Sequence, residues 1–480
     1  MNTNDYISLT VDLQHAITPQ QAWFYNIVPK TISGDNALSL YVSDDKLHSG
    51  LSDELEMLFG KTITLEKASA AVIQKTLGKY YRNTNVNASV RQVSAGNIKA
   101  DDFLPMLISE AKNLGSSDIH IEVYQEKCRV RIRIDGLLIE RYTISKIEYP
   151  SLINKIKISA NLDISEKRLP QDGRIYFNTD GHKFDIRVSI LPTLHGEKIV
   201  LRLLNNDAAN IDIERLGFNE KELEGYLEGI KKPHGIILIS GPTGSGKTTT
   251  LYATLKILNK EKSNIITIED PIEYTLEGVN QVQLKESIGL TFSSALRSFL
   301  RQDPDVIMLG EIRDGETAQM AIRAALTGHL VLSTIHTNSA WGTISRLTDM
   351  GVPSFLLAST LNTSVAQRLL RVLCTECKEE KVFDDSYLPR TFKAPRHLKN
   401  HFVAKGCEHC HYTGYKGRKA IYEVIPIDYE LADTIKNNSF SVEELLKERN
   451  IKTLKDNAFE MLESGQTTID EVYSILLNSY

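Results

Sequence analysis

Hydrophobic residues follow two different patterns along this chain. Up to about residue 205, apolar and polar positions alternate in short stretches, as in Leu38-Ser39-Leu40-Tyr41-Val42. Alternation with a period of two predicts strands that bury one face. From about residue 212 the apolar runs are continuous, at 236–240, 265–269, 306–309 and 330–334. Continuous runs separated by helical patterns are typical of parallel strands covered on both faces, so this part is predicted to be a doubly wound α/β domain.

The first 205 residues are predicted to form two smaller α+β domains. Residues 1–82 combine alternating stretches with helices at 52–59 and 68–81, and the polar segment 83–99 has the composition of a linker. Residues 100–205 begin with a helix at 101–113, for which Asp101 or Asp102 is the candidate N-cap. Strands are predicted at 118–123, 128–135, 137–142, near 175, at 184–190 and at 199–204, with a helix at 149–160. Asp135-Gly136 is a two-residue hairpin turn, and a second linker begins at Asn205.

A glycine-rich loop follows the first continuous apolar run. Its sequence, Gly241-Pro242-Thr243-Gly244-Ser245-Gly246-Lys247-Thr248-Thr249, fits the pattern of a phosphate-binding loop. A strand should end at Ser240 and a helix should start at Lys247, so that backbone N–H groups and the helix dipole face phosphate oxygens. Lys247 would reach the β- and γ-phosphates, and the Thr248 hydroxyl would complete a Mg²⁺ shell. The chain is therefore predicted to bind and hydrolyse a nucleoside triphosphate.

Hydrolysis also needs acidic groups, and two segments place them after buried strands. Ile268-Glu269-Asp270-Pro271-Ile272-Glu273 follows one strand, and Glu311 follows another after Gly310, as in a Walker B segment. The carboxyl ends of parallel strands are the ligand-binding edge of such a sheet. His336 lies at the same end of the next strand and is the candidate γ-phosphate sensor. The candidate catalytic residues are thus Glu269, Glu273, Glu311, Lys247 and His336. Either Glu273 or Glu311 is expected to orient or deprotonate the attacking water.

Four of the five cysteines form two C-x-x-C pairs, Cys374-Thr375-Glu376-Cys377 and Cys407-Glu408-His409-Cys410. Four thiolates can close a tetrahedral structural zinc site. The alternative is a redox-active pair, but neither pair opens a helix in a thioredoxin-like unit. Zinc is the favoured interpretation, within an insert at about 372–412. From about 345 onward, the sequence around this insert is predicted to be helical.

Composition narrows the class of protein. The chain has 41% hydrophobic and 24% charged residues and a net charge of −5, which argues against nucleic acid as the main ligand. No apolar run approaches the ~18–20 residues of a membrane span, and the polar start Met1-Asn2-Thr3-Asn4-Asp5 does not resemble a signal peptide. We therefore expect a cytoplasmic protein that could sit on a membrane through a partner.

Together these motifs resemble the secretion ATPase superfamily, and within it the GspE/PilB branch of type II secretion and type IV pilus assembly. The resemblance rests on the phosphate loop, the acidic turn, the segment from Leu300-Arg301-Gln302-Asp303-Pro304-Asp305 to Arg313-Asp314, and the strand between His329 and His336. It extends to Ser116-Ser117-Asp118-Ile119-His120-Ile121-Glu122 and Leu169-Pro170-Gln171-Asp172-Gly173-Arg174, and covers about 100–480.

The resemblance implies a fold and a layout: a RecA-like ATPase domain at 212–480 with a tetracysteine zinc insert, a PAS-like second N-terminal domain at 100–205, and a partner-binding domain at 1–82. It implies a homohexamer at the inner membrane that meets a platform protein and, through residues 1–82, a cytoplasmic assembly protein. It further implies that Arg168 and Arg174 close over the phosphates and that Arg297 and Arg301 reach a shared site. The tetracysteine insert is similar to that of assembly and export ATPases, which pilus-retraction ATPases lack.

Three hypotheses about function remain open at this point. The first is a hexameric motor ATPase that drives assembly of a type IV pilus or a type II secretion pseudopilus. The second is a nucleic-acid-binding or DNA-uptake translocation ATPase whose contact surface is formed by the two C-x-x-C knuckles and by Arg129, Arg131 and Arg133. The third is a nucleotide-gated scaffold with little turnover.

Overall fold

The computed structural model describes residues 6–477 except 8, 11–12, 15, 18, 34–36, 44–46, 48–49, 82–90, 94–99, 180–181, 205–211 and 438–441. The predicted linker at 83–99 lies outside the described residues apart from 91–93, and the start of the second linker lies outside them as well. The chain divides into two compact units, residues 1–97 with 127–131 and 139–146, and the remaining residues.

The first unit contains a three-stranded sheet with helices packed on it. Its elements are helix α1 (Pro19–Tyr25), strands β1 (Ile27–Ser33) and β2 (Ala37–Ser43), helix α2 (Leu51–Phe59), strand β3 (Thr62–Ala68) and helix α3 (Ala70–Tyr80). Strand β2 pairs antiparallel with β1 and parallel with β3. The alternation predicted for residues 38–42 is present, because Leu38, Leu40 and Val42 are buried while Ser39 and Tyr41 are half-buried.

Apart from a short strand within the predicted linker, the next elements agree with the predicted order of helices and strands. They are β4 (Arg91–Val93), α4 (Ala100–Asn113), β5 (Asp118–Val123), β6 (Cys128–Ile134), β7 (Leu137–Ile144), α5 (Tyr149–Ser159), β8 (Gln171–Thr179), β9 (His182–Thr193) and β10 (Gly196–Leu203). In the second unit, β10 pairs antiparallel with both β5 and β9, and β9 pairs antiparallel with β8. Asp135 and Gly136 both have positive φ, as a tight hairpin turn requires.

A seven-stranded sheet in the second unit has the order β13 (Asn280–Gln283), β12 (Ile265–Glu269), β14 (Val306–Leu309), β15 (Leu330–Ile335), β11 (Gly235–Ser240), β16 (Leu361–Leu373), β19 (Tyr415–Pro426). The helices and strands of this region that precede β16 are α6 (Glu220–Lys231), β11 (Gly235–Ser240), α7 (Lys247–Leu258), β12 (Ile265–Glu269), β13 (Asn280–Gln283), α8 (Phe292–Phe299), β14 (Val306–Leu309), α9 (Gly315–Leu326), β15 (Leu330–Ile335), α10 (Gly342–Asp349) and α11 (Ser354–Thr360). Strands β11, β12, β14 and β15 are buried along their whole length and pair in parallel. The predicted α/β class is confirmed.

The expectation that the part from about 345 is helical around the insert is wrong for the two segments that flank the insert. Strands β16 (Leu361–Leu373) and β19 (Tyr415–Pro426) extend this seven-stranded sheet, with β16 parallel to β11 and β19 antiparallel to β16. The apolar pattern hides β16 because several of its buried positions are polar, namely Asn362, Thr363, Ser364 and Gln367. Asn362, Ser364 and Gln367 form hydrogen bonds with polar groups of other segments, and no periodicity in hydrophobicity records such contacts.

The segment between β16 and β19 contains strands β17 (Glu379–Val382) and β18 (Asn400–Val403), which pair antiparallel. Helices α12 (Tyr429–Lys436), α13 (Glu443–Glu448), α14 (Leu454–Glu463) and α15 (Ile469–Leu477) complete the described chain. Among the described residues, no helix is both long and apolar enough to cross a bilayer.

Candidate nucleotide and metal sites

The phosphate loop connects β11 to α7 as the sequence predicted. Strand β11 ends at Ser240 and α7 begins at Lys247. Gly241, Gly244 and Gly246 have φ values of +153°, +82° and +89°, a region that residues with a side chain rarely adopt. The loop therefore takes a shape that exposes its backbone N–H groups at the start of a helix, where an anion is favoured.

Two side chains of the loop fit a phosphate ligand. The Lys247 ammonium donates to the carbonyls of Gly241 and Pro242 at 2.8 and 3.0 Å, so it lies across the mouth of the loop. Burial lowers the pKa of Lys247, and the charge of Glu311 works in the opposite direction. The Ser245 hydroxyl is buried and has no hydrogen-bond partner among the described residues. A phosphate oxygen would supply the partner that this buried hydroxyl lacks.

Glu311 and His336 meet at the same edge of the sheet as the loop. Glu311 follows β14, His336 follows β15, and the His336 Nε2 atom lies 3.2 Å from a carboxylate oxygen of Glu311. Arg313 also pairs with Glu311 and lies 3.7 Å from Asp270. Two of the predicted catalytic residues are therefore in contact. They form a charged cluster whose carboxylate also acts electrostatically on Lys247.

Glu269 has a different environment from the other predicted carboxylates. It is 3% exposed, and its carboxylate accepts hydrogen bonds from the Tyr252 hydroxyl, from Thr267 Oγ1 at 2.7 Å and from Gln281 Nε2 at 3.1 Å. Three donors satisfy a buried carboxylate in place of water. Glu269 thus joins the end of β12 to α7, whereas Glu311 pairs with His336 and Arg313 and acts electrostatically on Lys247.

Glu273 is paired with an arginine that sequence reasoning did not select. Arg187, on β9, lies 3.3 Å from the Glu273 carboxylate and donates to the carbonyl of Ile272. Burial lowers the pKa of Arg187, and Glu273 partly offsets that effect. Beside this pair is a cleft of about 770 Å³, lined by Arg174, Glu273, several aromatic side chains and Lys285.

Within the described part of the chain, none of the four predicted arginines forms a hydrogen bond or ion pair with the phosphate loop. Arg168 is 88% exposed and pairs with Glu166, two residues before it. Arg174 lines the cleft beside Glu273. Arg297 pairs with Glu316, and Arg301 donates to the carbonyl of Arg297 at 2.8 Å. Only Arg174 is therefore brought beside a predicted catalytic residue.

The cysteines converge at the ends of β16 and β19. The sulfur atoms of Cys374, Cys377, Cys407 and Cys410 all lie within 4.8 Å of one another. A tetrahedral zinc site with Zn–S bonds of about 2.3 Å has sulfurs about 3.8 Å apart, and the Cys377–Cys410 and Cys407–Cys410 pairs are 3.7 Å apart. The backbone N–H groups of Cys407 and Gly414 each donate to Cys410 Sγ at 3.2 Å, which orients a thiolate ligand. The donor set fits zinc.

The remaining cysteine, Cys128, is buried on β6, and burial raises the pKa of its thiol. A buried thiol with a raised pKa is a poor nucleophile, so Cys128 is a packing residue of this strand.

The profile of the type II/IV secretion system protein family matches residues 95–474. The chain is also 46% identical over 371 residues to the type II secretion system protein E of Pseudomonas aeruginosa, covering 77% of this chain and 74% of that protein. The chain belongs to the type II/IV secretion system protein family.

Other relatives of this secretion-family protein include the type IV pilus assembly ATPase PilB of Myxococcus xanthus, which is 42% identical over 456 residues. That alignment covers 88% of this chain and 79% of PilB. Among solved structures, the pilus retraction motor PilT with bound ADP is 27% identical with a TM-score of 0.54, covering 79% of this chain and 97% of that one. The Legionella pneumophila ATPase DotB shares the fold with a TM-score of 0.60 at 20% identity, covering 81% of this chain and 99% of DotB.

These comparisons confirm the resemblance drawn from the motifs and the prediction of a secretion-family ATPase. The roles of single residues and the three-domain layout stay predictions. Sequence reasoning missed Arg187, Tyr252 and Gln367, because each acts through a contact with a distant segment. The sequence contained one weak indication that Arg187 is functional: it is an arginine among apolar residues in the strand predicted at 184–190.

Proposed function

We propose that this protein is a hexameric motor ATPase that hydrolyses ATP to drive assembly of a type IV pilus or a type II secretion pseudopilus at the inner membrane. The observation that carries the proposal is the meeting of Lys247, Glu311 and His336 around one phosphate loop. A loop alone binds a nucleotide, but a carboxylate facing the loop supplies the group that hydrolysis needs. The identity to protein E and to PilB supports the assembly role.

In this mechanism the loop N–H groups and Lys247 hold the β- and γ-phosphates. Mg²⁺, when bound, neutralises charge on the phosphate oxygens, and Thr248 is the residue that would hold it. Glu311 orients the attacking water or accepts its proton, with Glu273 as the other candidate for that role. His336, in contact with Glu311, reports the presence of the γ-phosphate. Thr249 follows on the first turn of α7.

The arginines give the motor its moving contacts. Arg168 and Arg174 would close over the phosphates, and Arg297 and Arg301 would reach a site shared with a neighbouring subunit. Arg168 is almost fully exposed, so it can leave Glu166 at little cost. A guanidinium that arrives only in the closed state stabilises the transition state and couples hydrolysis to movement. The proposal therefore places a mobile clamp around the phosphate loop.

The cysteine cluster is proposed to hold a structural zinc ion that joins the ends of β16 and β19. Assembly rather than retraction is the proposed direction, because the tetracysteine insert resembles that of assembly ATPases. The proposed partners are an inner-membrane platform protein and, for residues 1–82, a cytoplasmic assembly protein. Membrane association would be peripheral and would depend on these partners.

The alternative of nucleic-acid translocation gains no support from β6. Arg129 pairs with Glu140 at 3.2 Å, and Arg133 pairs with Asp118 at 3.4 Å. Arginines that are paired with carboxylates are poor candidates for a phosphate-binding surface. A fluorescence anisotropy titration with duplex and single-stranded DNA should stay flat at 50 mM salt; salt-dependent binding would restore this alternative.

The main test is Mg²⁺-dependent ATP hydrolysis by the full chain with its zinc content verified. Lys247→Ala should abolish turnover and nucleotide binding while leaving the thermal unfolding midpoint unchanged. Turnover by Lys247→Ala equal to that of the wild type would contradict the assignment of the phosphate loop. A wild-type protein that binds ATP but does not hydrolyse it, even with the membrane partner present, would instead support the nucleotide-gated scaffold.

A further inference from the structure

Strand β16 passes against the phosphate loop, and Gln367 is its residue at the point of contact. Gln367 is 2% exposed. Its side-chain oxygen accepts a hydrogen bond from Thr250 Oγ1 at 2.9 Å. Thr250 is fully buried on the first turn of α7, three residues after Lys247, and its hydroxyl is also 3.3 Å from the Tyr422 hydroxyl. Gln367 therefore anchors the helix that the phosphate loop begins.

The same residue contacts the loop at both of its ends. A Cβ atom at Gly246 would lie 2.8 Å from Gln367 Nε2, and one at Gly241 would lie 2.5 Å from the Gln367 carbonyl oxygen. Both separations are shorter than any side-chain carbon tolerates, so the loop backbone rests directly on Gln367. The glycines at these two positions are needed for this close approach as well as for their positive φ.

We propose that Gln367 is a positioning residue that holds the phosphate loop in its phosphate-binding shape. The inference rests on the proposed function, in which this loop binds the nucleotide. A loop that is preorganised loses less conformational freedom when it binds a nucleotide. The nucleotide affinity therefore depends on the residue that supports the loop, which is Gln367. Glutamine suits this place because it accepts from Thr250 without bringing negative charge under the phosphates.

The chemistry of the side chain makes the inference specific. Gln367→Met keeps the length of the side chain but removes the acceptor for Thr250. Gln367→Glu keeps that acceptor and instead places a carboxylate beneath Gly246, where it would repel the bound phosphates. A residue that merely filled space would leave nucleotide affinity unchanged on replacement by methionine, whereas a residue that positions the loop through its bond to Thr250 would not.

The test is a double-mutant cycle on nucleotide affinity, measured by titrating the full-length zinc-loaded protein with a fluorescent ADP analogue. Gln367→Met and Thr250→Val should each weaken binding by roughly fivefold, the factor that corresponds to one buried hydrogen bond. The double variant should be no weaker than the worse single variant, because both remove the same bond. Gln367→Glu should weaken binding by roughly tenfold or more.

Thr363→Val is the matched control, because Thr363 is fully buried on the same face of β16 but lies beside Gly229 of α6 instead of the loop. It should bind the analogue as the wild type does. Additive losses in the cycle, or equal affinity of Gln367→Glu and the wild type, would overturn the inference. If Gln367→Met does not fold, Thr250→Val and Gln367→Glu still decide it. A wild-type protein that binds no analogue would refute the proposed function instead.

Discussion

The Arg187–Glu273 pair allows a quantitative prediction about coupling between β9 and the acidic turn. The perturbation is Arg187→Ala, which removes a guanidinium whose side chain is 17% exposed and which lies 3.3 Å from the Glu273 carboxylate. Two interactions are lost together, the ion pair and the hydrogen bond to the Ile272 carbonyl. We expect the acidic turn to lose its fixed position relative to the phosphate loop.

The magnitude follows from the geometry. At 3.3 Å and an effective dielectric constant of about 20, the Coulomb attraction is about 5 kcal/mol. The cost of burying Arg187 offsets much of this, and charged hydrogen bonds contribute about 1.5–3 kcal/mol in mutational series. A coupling of about 2 kcal/mol corresponds to a decrease of roughly 30-fold in kcat/KM.

The assay is a double-mutant cycle on steady-state ATP hydrolysis with Arg187→Ala, Glu273→Ala and the double variant. The expected result is a coupling free energy near 2 kcal/mol, about the value for a charged hydrogen bond. Arg187→Lys should recover only part of the activity, because an ammonium lacks the fork that reaches both the carboxylate and the carbonyl.

Arg202→Ala is the control for this cycle. Arg202 lies on the neighbouring strand β10, is 58% exposed and pairs with Asp118 at 3.0 Å. Its loss should change kcat/KM by less than about twofold, as is usual for exposed ion pairs. Strictly additive effects of Arg187→Ala and Glu273→Ala, or an equal loss in the control, would refute the reasoning.

Three further predictions concern hydrolysis, zinc and pH. Glu311→Gln should lower kcat at least about 100-fold, and the fluorescent ADP analogue should bind as it does to the wild type. A small change in kcat would instead indicate that Glu273 orients or deprotonates the attacking water. Purified protein should contain one zinc ion per chain by atomic absorption, and Cys377→Ser should lose the metal and unfold at a lower temperature; full metal retention would contradict the tetracysteine site. Burial lowers the pKa of His120, whose ring nitrogens have no hydrogen-bond partner among the described residues. The unfolded chain then binds this proton more readily, so stability should fall as the pH drops below about 6.5. His120→Gln should flatten the dependence of the urea midpoint on pH between 5 and 7, and an unchanged slope would contradict this.

Local sequence was sufficient to predict many of this protein's strands and helices and two of its motifs. The phosphate loop, the strand before it and the helix after it depend on neighbouring residues, so the boundaries at Ser240 and Lys247 agree with the structure. The buried strands 265–269 and 306–309 were likewise readable, because a strand covered on both faces is apolar at every position. The two C-x-x-C pairs indicated a metal site because their spacing alone suits four thiolates.

Only the tertiary structure determined which side chains from distant segments contact one another. In the sequence, Gln367 is one polar residue in a part predicted to be helical, and only the pairing of β16 with β11 brings it beneath Gly241 and Gly246. Arg187 reaches Glu273 from a segment more than eighty residues away in sequence. Glu269 and Glu311 both follow buried strands, yet one is enclosed by Tyr252 and the other faces His336. The sequence determines which residues can do chemistry, whereas burial and long-range pairing determine which of them face the phosphate loop.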